Sequence, residues 1–209
     1  TIKKAATKGY GAEIFECEPT LQAREDGLAE VVKKYEATFI HPYNNFDVIA
    51  GQATTAKELI EDSPKLDVVM APVGGGGLMS GTALTTSFLL PEAEIFGAEP
   101  EVVNDAYRSF KSGTYQTNTT TDTIADGLKT NLGDKTFAII KDYVDDIFTV
   151  SEAEIVAAMR LIWERMKIII EPSCAVPLAA VLKNKERFSD KKVGIILTGG
   201  NVDVEQLPF

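Results

Sequence analysis

Four consecutive glycines, Gly74, Gly75, Gly76 and Gly77, stand between the apolar run LDVVMAPV and the stretch LMSGTALTTSFLL. Glycine loses more conformational freedom on folding than any other residue, so four together imply a constraint that a Cβ would violate. A strand, a bare loop and a helix in that order leave unpaired amides at the helix N-terminus, where the macrodipole favours an anion. The loop with Leu78 reads as a cup for a phosphate. The plainer alternative is a tight turn with close packing of strand on helix. Four glycines in this context favour the anion cup over the turn.

A second loop, ILTGGNVD, again follows an apolar run and pairs the hydroxyl of Thr198 with Gly199 and Gly200. In open α/β sheets ligands bind beyond the carboxyl ends of strands, so two glycine loops at one edge suggest a cofactor crevice. Thr198 could instead bond its own backbone at a strand end. Glu99 closes the strand AEIFGAE and Asp105 follows shortly after. Such a carboxylate pair with a main-chain carbonyl suits a hard cation, Mg²⁺ or Ca²⁺, although spacing alone is equally met by a capping Asp and a solvated Glu. A rival reading takes Gly75, Gly77 and Gly81 as a dinucleotide-binding fingerprint with Glu99 on a ribose, and hence an oxidoreductase. Its glycine spacing departs from the strict pattern, and it leaves the TGGN loop unexplained.

The elements that must position these loops alternate along the chain. LDVVMAPV, AEIFGAEP, DIFTV and KKVGIILTGG read as strands, and the near-continuous apolar character of the first fits a parallel sheet covered on both faces. AEIFEC (12–17) and TFIHP (38–42) also read as strands. Helices are expected over REDGLAEVVKKYEA, FDVIAGQATTAKELIED, LMSGTALTTSFLL, KTFAIIKDYV, EIVAAMRLIWERMKIII and CAVPLAAVLKNKERF, with Ser151 opening a capping box. The Thr-rich segment 111–123 reads as an exposed loop. Strands and helices in this order make an α/β fold with a parallel sheet and flanking helices. PYNN interrupts the pattern and suggests a boundary near residue 45, dividing 1–45 from 46–209.

The 209 residues carry a net charge of −10, which argues against a nucleic-acid partner. No apolar run approaches the ~20 residues of a membrane span, and the first residues lack a secretory pattern. The two cysteines, Cys17 and Cys174, form no metal-spacing motif and read as reduced thiols. One histidine, His41, nearly excludes a Ser-His-Asp triad or a multi-histidine metal site, and its setting in FIHPY suggests a structural role.

Taken together, VIAGQATTAKEL, PVGGGGLMSG, FGAEP, TIADGLK, VDDIFTV, ERMKIIIEPS and ILTGGNVD resemble the serine racemase and serine/threonine dehydratase family. These are pyridoxal-phosphate (PLP) enzymes of the tryptophan synthase β-like fold, and the resemblance covers nearly the whole chain. It implies a racemase, or a dehydratase that eliminates serine to pyruvate and ammonia, with threonine or threo-3-hydroxyaspartate as alternative substrates. A ligand-sensing module without chemistry is the non-enzymatic alternative.

The resemblance also assigns roles. Gly74 to Gly77 with Leu78 match the loop that holds the PLP phosphate. Thr198 matches the hydroxyl facing the pyridine nitrogen, where most relatives carry Ser. Tyr43 takes a cofactor-side position that holds Asn in some relatives, and Glu171 lies in the family's EP motif near the ring. Glu99 and Asp105 with the Val103 carbonyl match a divalent-cation site. Tyr10 and Asn201 match positions around an ATP effector site at a homodimer interface. The family's Schiff-base lysine lies in an S-F-K-x-R-G-A-like segment. No lysine here, Lys129 and Lys167 included, has that context, so the chain reads as the C-terminal portion of a cytoplasmic enzyme: part of a small domain over 1–45, and a large PLP-binding domain over 46–209.

Overall fold

The computed structural model describes residues 2–18, 21–63 and 65–209. Helices α1 (Ile2–Gly9), α2 (Leu21–Tyr35) and α3 (Phe46–Asp62) come first. Strand β1 (Val68–Pro72), helix α4 (Gly77–Leu89), strand β2 (Glu94–Pro100) and helices α5 (Asp105–Ser112) and α6 (Asp134–Tyr143) follow. Strand β3 (Asp146–Val150), helices α7 (Glu152–Met166) and α8 (Pro172–Lys183) and strand β4 (Val193–Ile195) complete the order.

The four strands form one parallel sheet in the order β3-β2-β1-β4. All five residues of β1 are buried, because helices cover both faces of this central strand. One core joins Val68, Met70 and Phe96 to Met159, Cys174 and Val176. The other joins Ala71, Val73 and Ile95 to Met79, Ala83 and Ile140. The apolar run read from the sequence is thus the seam between two hydrophobic layers.

Helix α4 packs hardest on α3, and small residues permit it. A Cβ on Gly81 would lie 2.6 Å from the Ala53 nitrogen and 2.7 Å from the Ile49 carbonyl oxygen. The N-cap Asn45 starts α3 by accepting the Asp47 amide at 2.7 Å. Ser151 and Glu154 close the expected capping box on α7.

Five expectations change. Residues 12–17 and 38–42 are extended or irregular rather than strands. Their apolar alternation is real, but among the described residues no neighbouring strand offers them a ladder. Helix α7 ends at Met166, where Lys167 turns left-handed with φ of 61°, so KIII leaves the helix. Helix α8 begins at Pro172 and stops at Lys183. The start of the expected 111–123 loop belongs to α5, which Gly113 ends at φ of 69°.

Candidate active site

Both glycine loops open at the carboxyl edge of the sheet. The first leaves β1 and enters α4, and the second leaves β4, which pairs with β1 in parallel. They line a single cavity of about 380 Å³ with Tyr43, Gly74, Gly75, Gly76, Gly77, Leu78, Glu171 and Thr198 in its wall. The structure therefore brings together every residue expected at the cofactor. Gln52, Thr130 and Ser173 also line it, and no sequence signal singled them out.

The glycines have separable reasons. Only Gly76 requires positive φ, at 86°, as the N-cap of α4. A Cβ on Gly75 would sit 2.4 Å from the Tyr43 ring, and one on Gly77 2.9 Å from the Tyr43 Cβ. A Cβ on Gly74 would lie 3.1 Å from the Gly127 carbonyl oxygen. The run thus admits the Tyr43 ring and the 125–128 turn against bare backbone, so close packing accounts for part of it. Thr136 holds the loop from behind, donating its hydroxyl to the Gly75 carbonyl at 2.8 Å and accepting the Gly133 amide at 2.8 Å.

The amides of this loop are the other half of the site. The N-caps of α3 and α7 bring a side-chain acceptor, whereas Gly76 brings none. The α4 ladder starts with the Ser80 amide on the Gly76 carbonyl at 2.8 Å. The amides of Gly77, Leu78 and Met79 precede that bond, at the positive end of a helix dipole beside the cavity. Anion chemistry fits this wall: backbone donors at a helix N-terminus. The lining also includes Thr198 and Glu171, whose carboxylate pairs with Lys3 at 2.9 Å, as does Asp126.

His41 is structural, as expected. Its Nδ1 accepts the amides of Asn44 at 2.9 Å and Tyr43 at 3.3 Å, and its ring meets Tyr43 edge-on at 4.6 Å. Asn44 then ties this segment to α6 through Asp134 at 2.6 Å and the Lys135 amide at 3.1 Å.

Glu99 does not line the cavity. Its Oε1 accepts the Tyr107 amide at 2.6 Å at the start of α5, and the residue is 1% exposed. Burial drives its carboxyl well above the usual range, and the charge of Asp105 adds to that. Asp105 is buried too, accepting Asn118 Nδ2 at 2.6 Å and the Leu132 amide at 2.9 Å, and burial raises its carboxyl. Val103 is buried between them in sequence. This placement speaks against a ribose contact for Glu99 and against the dinucleotide reading.

Asn201 borders a second cavity of about 370 Å³, with Asp126, Lys129, Glu171 and Asp203. Tyr10 is not part of its lining and is 87% exposed beyond the end of α1. Cys17 and Cys174 are both free thiols, Cys17 exposed and Cys174 buried. Among the described residues no helix is long and apolar enough to cross a membrane.

The two glycine loops thus meet at one crevice at the carboxyl edge of a parallel sheet, with residues 74–78 and Thr198 in its lining. The chain belongs to the pyridoxal-phosphate dependent enzyme family, whose model matches residues 1–199. It is 52% identical over 207 residues to a beta-hydroxyaspartate dehydratase of Paracoccus denitrificans, covering 99% of this chain and 66% of that protein. It is 48% identical over 211 residues to a serine racemase of Dictyostelium discoideum, covering 99% of this chain and 65% of that protein. The solved structure of maize serine racemase superposes with a TM-score of 0.94 at 38% identity, covering 98% of this chain and 64% of that one. The chain thus spans about two thirds of the length of these relatives.

Proposed function

We propose that the full-length protein is a PLP-dependent serine racemase, an L-serine/D-serine dehydratase, or both. Dehydration of threonine or threo-3-hydroxyaspartate is the alternative within the family. The observation that carries this reading is the single cavity lined by residues 74–78 and Thr198. The similarity to the beta-hydroxyaspartate dehydratase keeps the acidic substrate in contention.

In this reading the amides of Gly74 to Gly77 and Leu78 bind the cofactor phosphate, and the α4 dipole balances its charge. Thr198 offers a neutral hydroxyl to the pyridine nitrogen, which leaves that nitrogen largely unprotonated. Tyr43 and Glu171 border the ring, Tyr43 from the side of the glycine loop. When bound, PLP supplies an electron sink for the charge left at the substrate α-carbon after its proton is removed. The lysine that takes this proton is assigned, on the family resemblance alone, to an S-F-K-x-R-G-A-like segment that none of the lysines here matches.

A divalent cation held by Glu99, Asp105 and the Val103 carbonyl would relieve the repulsion between two buried carboxylates, which is the physical support for it. Tyr10 and Asn201 border an ATP effector site in a cytoplasmic homodimer, and the domains divide as 1–45 and 46–209. These assignments rest on the family resemblance.

The test is incubation of the full-length protein with PLP and, separately, L-serine, D-serine, L-threonine and threo-3-hydroxyaspartate. Chiral chromatography and 2-oxo-acid release are followed. Inversion of serine, or 2-oxo acid from one of these substrates, is expected. Turnover of none of them, with PLP bound, would remove this proposal.

A further inference from the structure

Helix α1 reaches the wall of the cavity with the ammonium of Lys3. Its Nζ stands 2.9 Å from Glu171 Oε2 and 2.9 Å from Asp126 Oδ2. These two acids belong to different elements. Glu171 is the N-cap of α8, and Asp126 opens the 3₁₀ turn Asp126–Leu128, whose Gly127 and Leu128 line the cavity together with Glu171. Ser173 closes the same seam from the α8 side, its Oγ accepting the Gly127 amide at 2.9 Å. The Glu171 amide donates to the Gly199 carbonyl at 2.9 Å and the Thr198 amide to Cys174 Sγ at 3.1 Å, so the start of α8 also holds the second glycine loop.

The Glu171 side chain is turned away from its own helix. An N-cap side chain ordinarily accepts an amide of the helix it starts, as those of Asn45 and Ser151 do. That of Glu171 caps nothing. Its Oε2 reaches Lys3, and its Oε1 lies over bare backbone: a Cβ on Gly127 would be 3.5 Å from it and one on Gly199 3.8 Å. The carboxylate therefore stands between the 126–128 turn and the TGG loop. Two forces oppose that position. Asp126 shares the same ammonium, so without Lys3 two negative charges would face each other across the seam. The dipole and free amides at the start of α8 would draw the carboxylate back onto its own helix. Lys3 counters both. Burial pulls its pKa down, but hydrogen bonds to Glu171 and Asp126 outweigh that and leave it raised, so the charge is present at neutral pH. The Glu171 side chain is 12% exposed against 49% for Asp126, so the arm to Glu171 is the less screened of the two.

We propose that Lys3 is a positioning residue: it holds the Glu171 carboxylate on the cavity wall, beside the place of the PLP ring. This rests on the reading of the cavity as the PLP site with Glu171 bordering the ring. It gives α1 a part in cofactor binding, although among the described residues α1 contributes none to the cavity lining.

The test is a double-mutant cycle on the full-length protein, with Lys3→Met, Glu171→Gln and the two together. PLP affinity is read from cofactor absorbance, and the visible circular dichroism of the bound cofactor reports how it is seated. Lys3→Met should weaken PLP binding by roughly 3–10-fold, the size expected of one partly exposed charge-assisted hydrogen bond. Lys3→Arg should restore most of it. In the Glu171→Gln background Lys3→Met should cost less than about 2-fold, because the group it positions is gone. The dichroism of Lys3→Met should move toward that of Glu171→Gln, and Lys3→Arg should keep the wild-type band. An equal loss from Lys3→Met with and without Glu171→Gln overturns the proposal, because Lys3 then acts through Asp126 or through the docking of α1. So does a Lys3→Met protein with unchanged affinity and dichroism. If Lys3→Met does not fold, Lys3→Gln takes its place in the cycle. A wild type that takes up no PLP removes the reading of the site and the proposal with it. Normal wild-type uptake with additive losses removes the proposal alone.

Discussion

Gly75 offers the sharpest test of what the bare backbone at the cavity is for. Its φ lies outside the left-handed region, so an alanine there meets no backbone strain. The obstacle is the Tyr43 ring, with Cδ1 and Cγ at 2.4 Å from the added Cβ. Overpacking of this kind costs about 1–3 kcal/mol, and at 2.4 Å the upper part of that range applies. Tyr43→Ala removes the ring and by itself loses a half-buried aromatic worth about 1–3 kcal/mol. In the double variant the clash is gone, so the two losses should fall short of their sum by about 1–2 kcal/mol, the coupling expected of residues in contact. Denaturant midpoints of the four full-length proteins measure this cycle. PLP affinity read on the same proteins adds the functional arm. The double variant keeps the amides of residues 74–78, so it should bind PLP better than Gly75→Ala alone. Additive losses, with Gly75→Ala equally harmful whether or not the ring is present, would refute the claim that Tyr43 sets the need for glycine at 75.

Gly76→Ala should behave differently: its left-handed backbone costs about 1–2 kcal/mol in itself, and Tyr43→Ala should recover none of it in denaturant unfolding. Thr136→Val removes the hydroxyl that binds the Gly75 carbonyl and the Gly133 amide, and should cost about 1–3 kcal/mol in the same assay with a weaker PLP affinity. Burial pushes the Glu154 carboxyl up, but the Ser151 amide, Lys183 and the Ser151 hydroxyl outweigh it and hold the group below its usual pKa. That carboxylate therefore stabilises the fold above its unfolded pKa, and the contribution disappears as pH falls through the lowered folded value. Glu154→Ala should cost about 0.5–1 kcal/mol at pH 7, because the ion pair with Lys183 is a third exposed and adds little, and its penalty should shrink in acid-side thermal melts. Mg²⁺ or Ca²⁺ at a hundred times its Kd should stabilise the full-length protein by about 2.7 kcal/mol, and Glu99→Gln should abolish the shift in Tm.

Much of the fold was legible because burial leaves a plain mark on composition. Val68 to Pro72 reads as a two-sided buried strand, and the Ser151–Glu154 box marks the start of α7. What failed depends on partners that periodicity does not name. Residues 12–17 and 38–42 alternate like strands but have no strand beside them among the described residues. The apolar KIII extends the α7 pattern, yet after the turn at Lys167 only Ile170 is buried, Ile168 and Ile169 are exposed, and the Ile170 carbonyl accepts Trp163 Nε1 at 3.0 Å. Helix α5 is short and polar, and no helix was read there from the sequence.

At the site, the glycine loop and Thr198 carry motif signals strong enough to find. Thr136 behind the loop, and Ser173 and Cys174 at the start of α8, do not, and the resemblance placed Tyr43 beside the cofactor without showing its contact with Gly75. Each acts through a contact between segments distant in sequence, 32 residues apart for Tyr43 and Gly75, with nothing local to announce it. Glu99 was found for two incompatible roles, and only its burial against α5 separates them.

The central claim is that one PLP molecule spans the two glycine loops. A crystal structure of the full-length protein with PLP tests it most directly. The account predicts phosphate oxygens at about 2.7–3.2 Å from amides of residues 74–78, with Thr198 Oγ1 at a similar distance from the ring nitrogen. A phosphate held elsewhere, or a ring nitrogen facing a group other than Thr198, would contradict it.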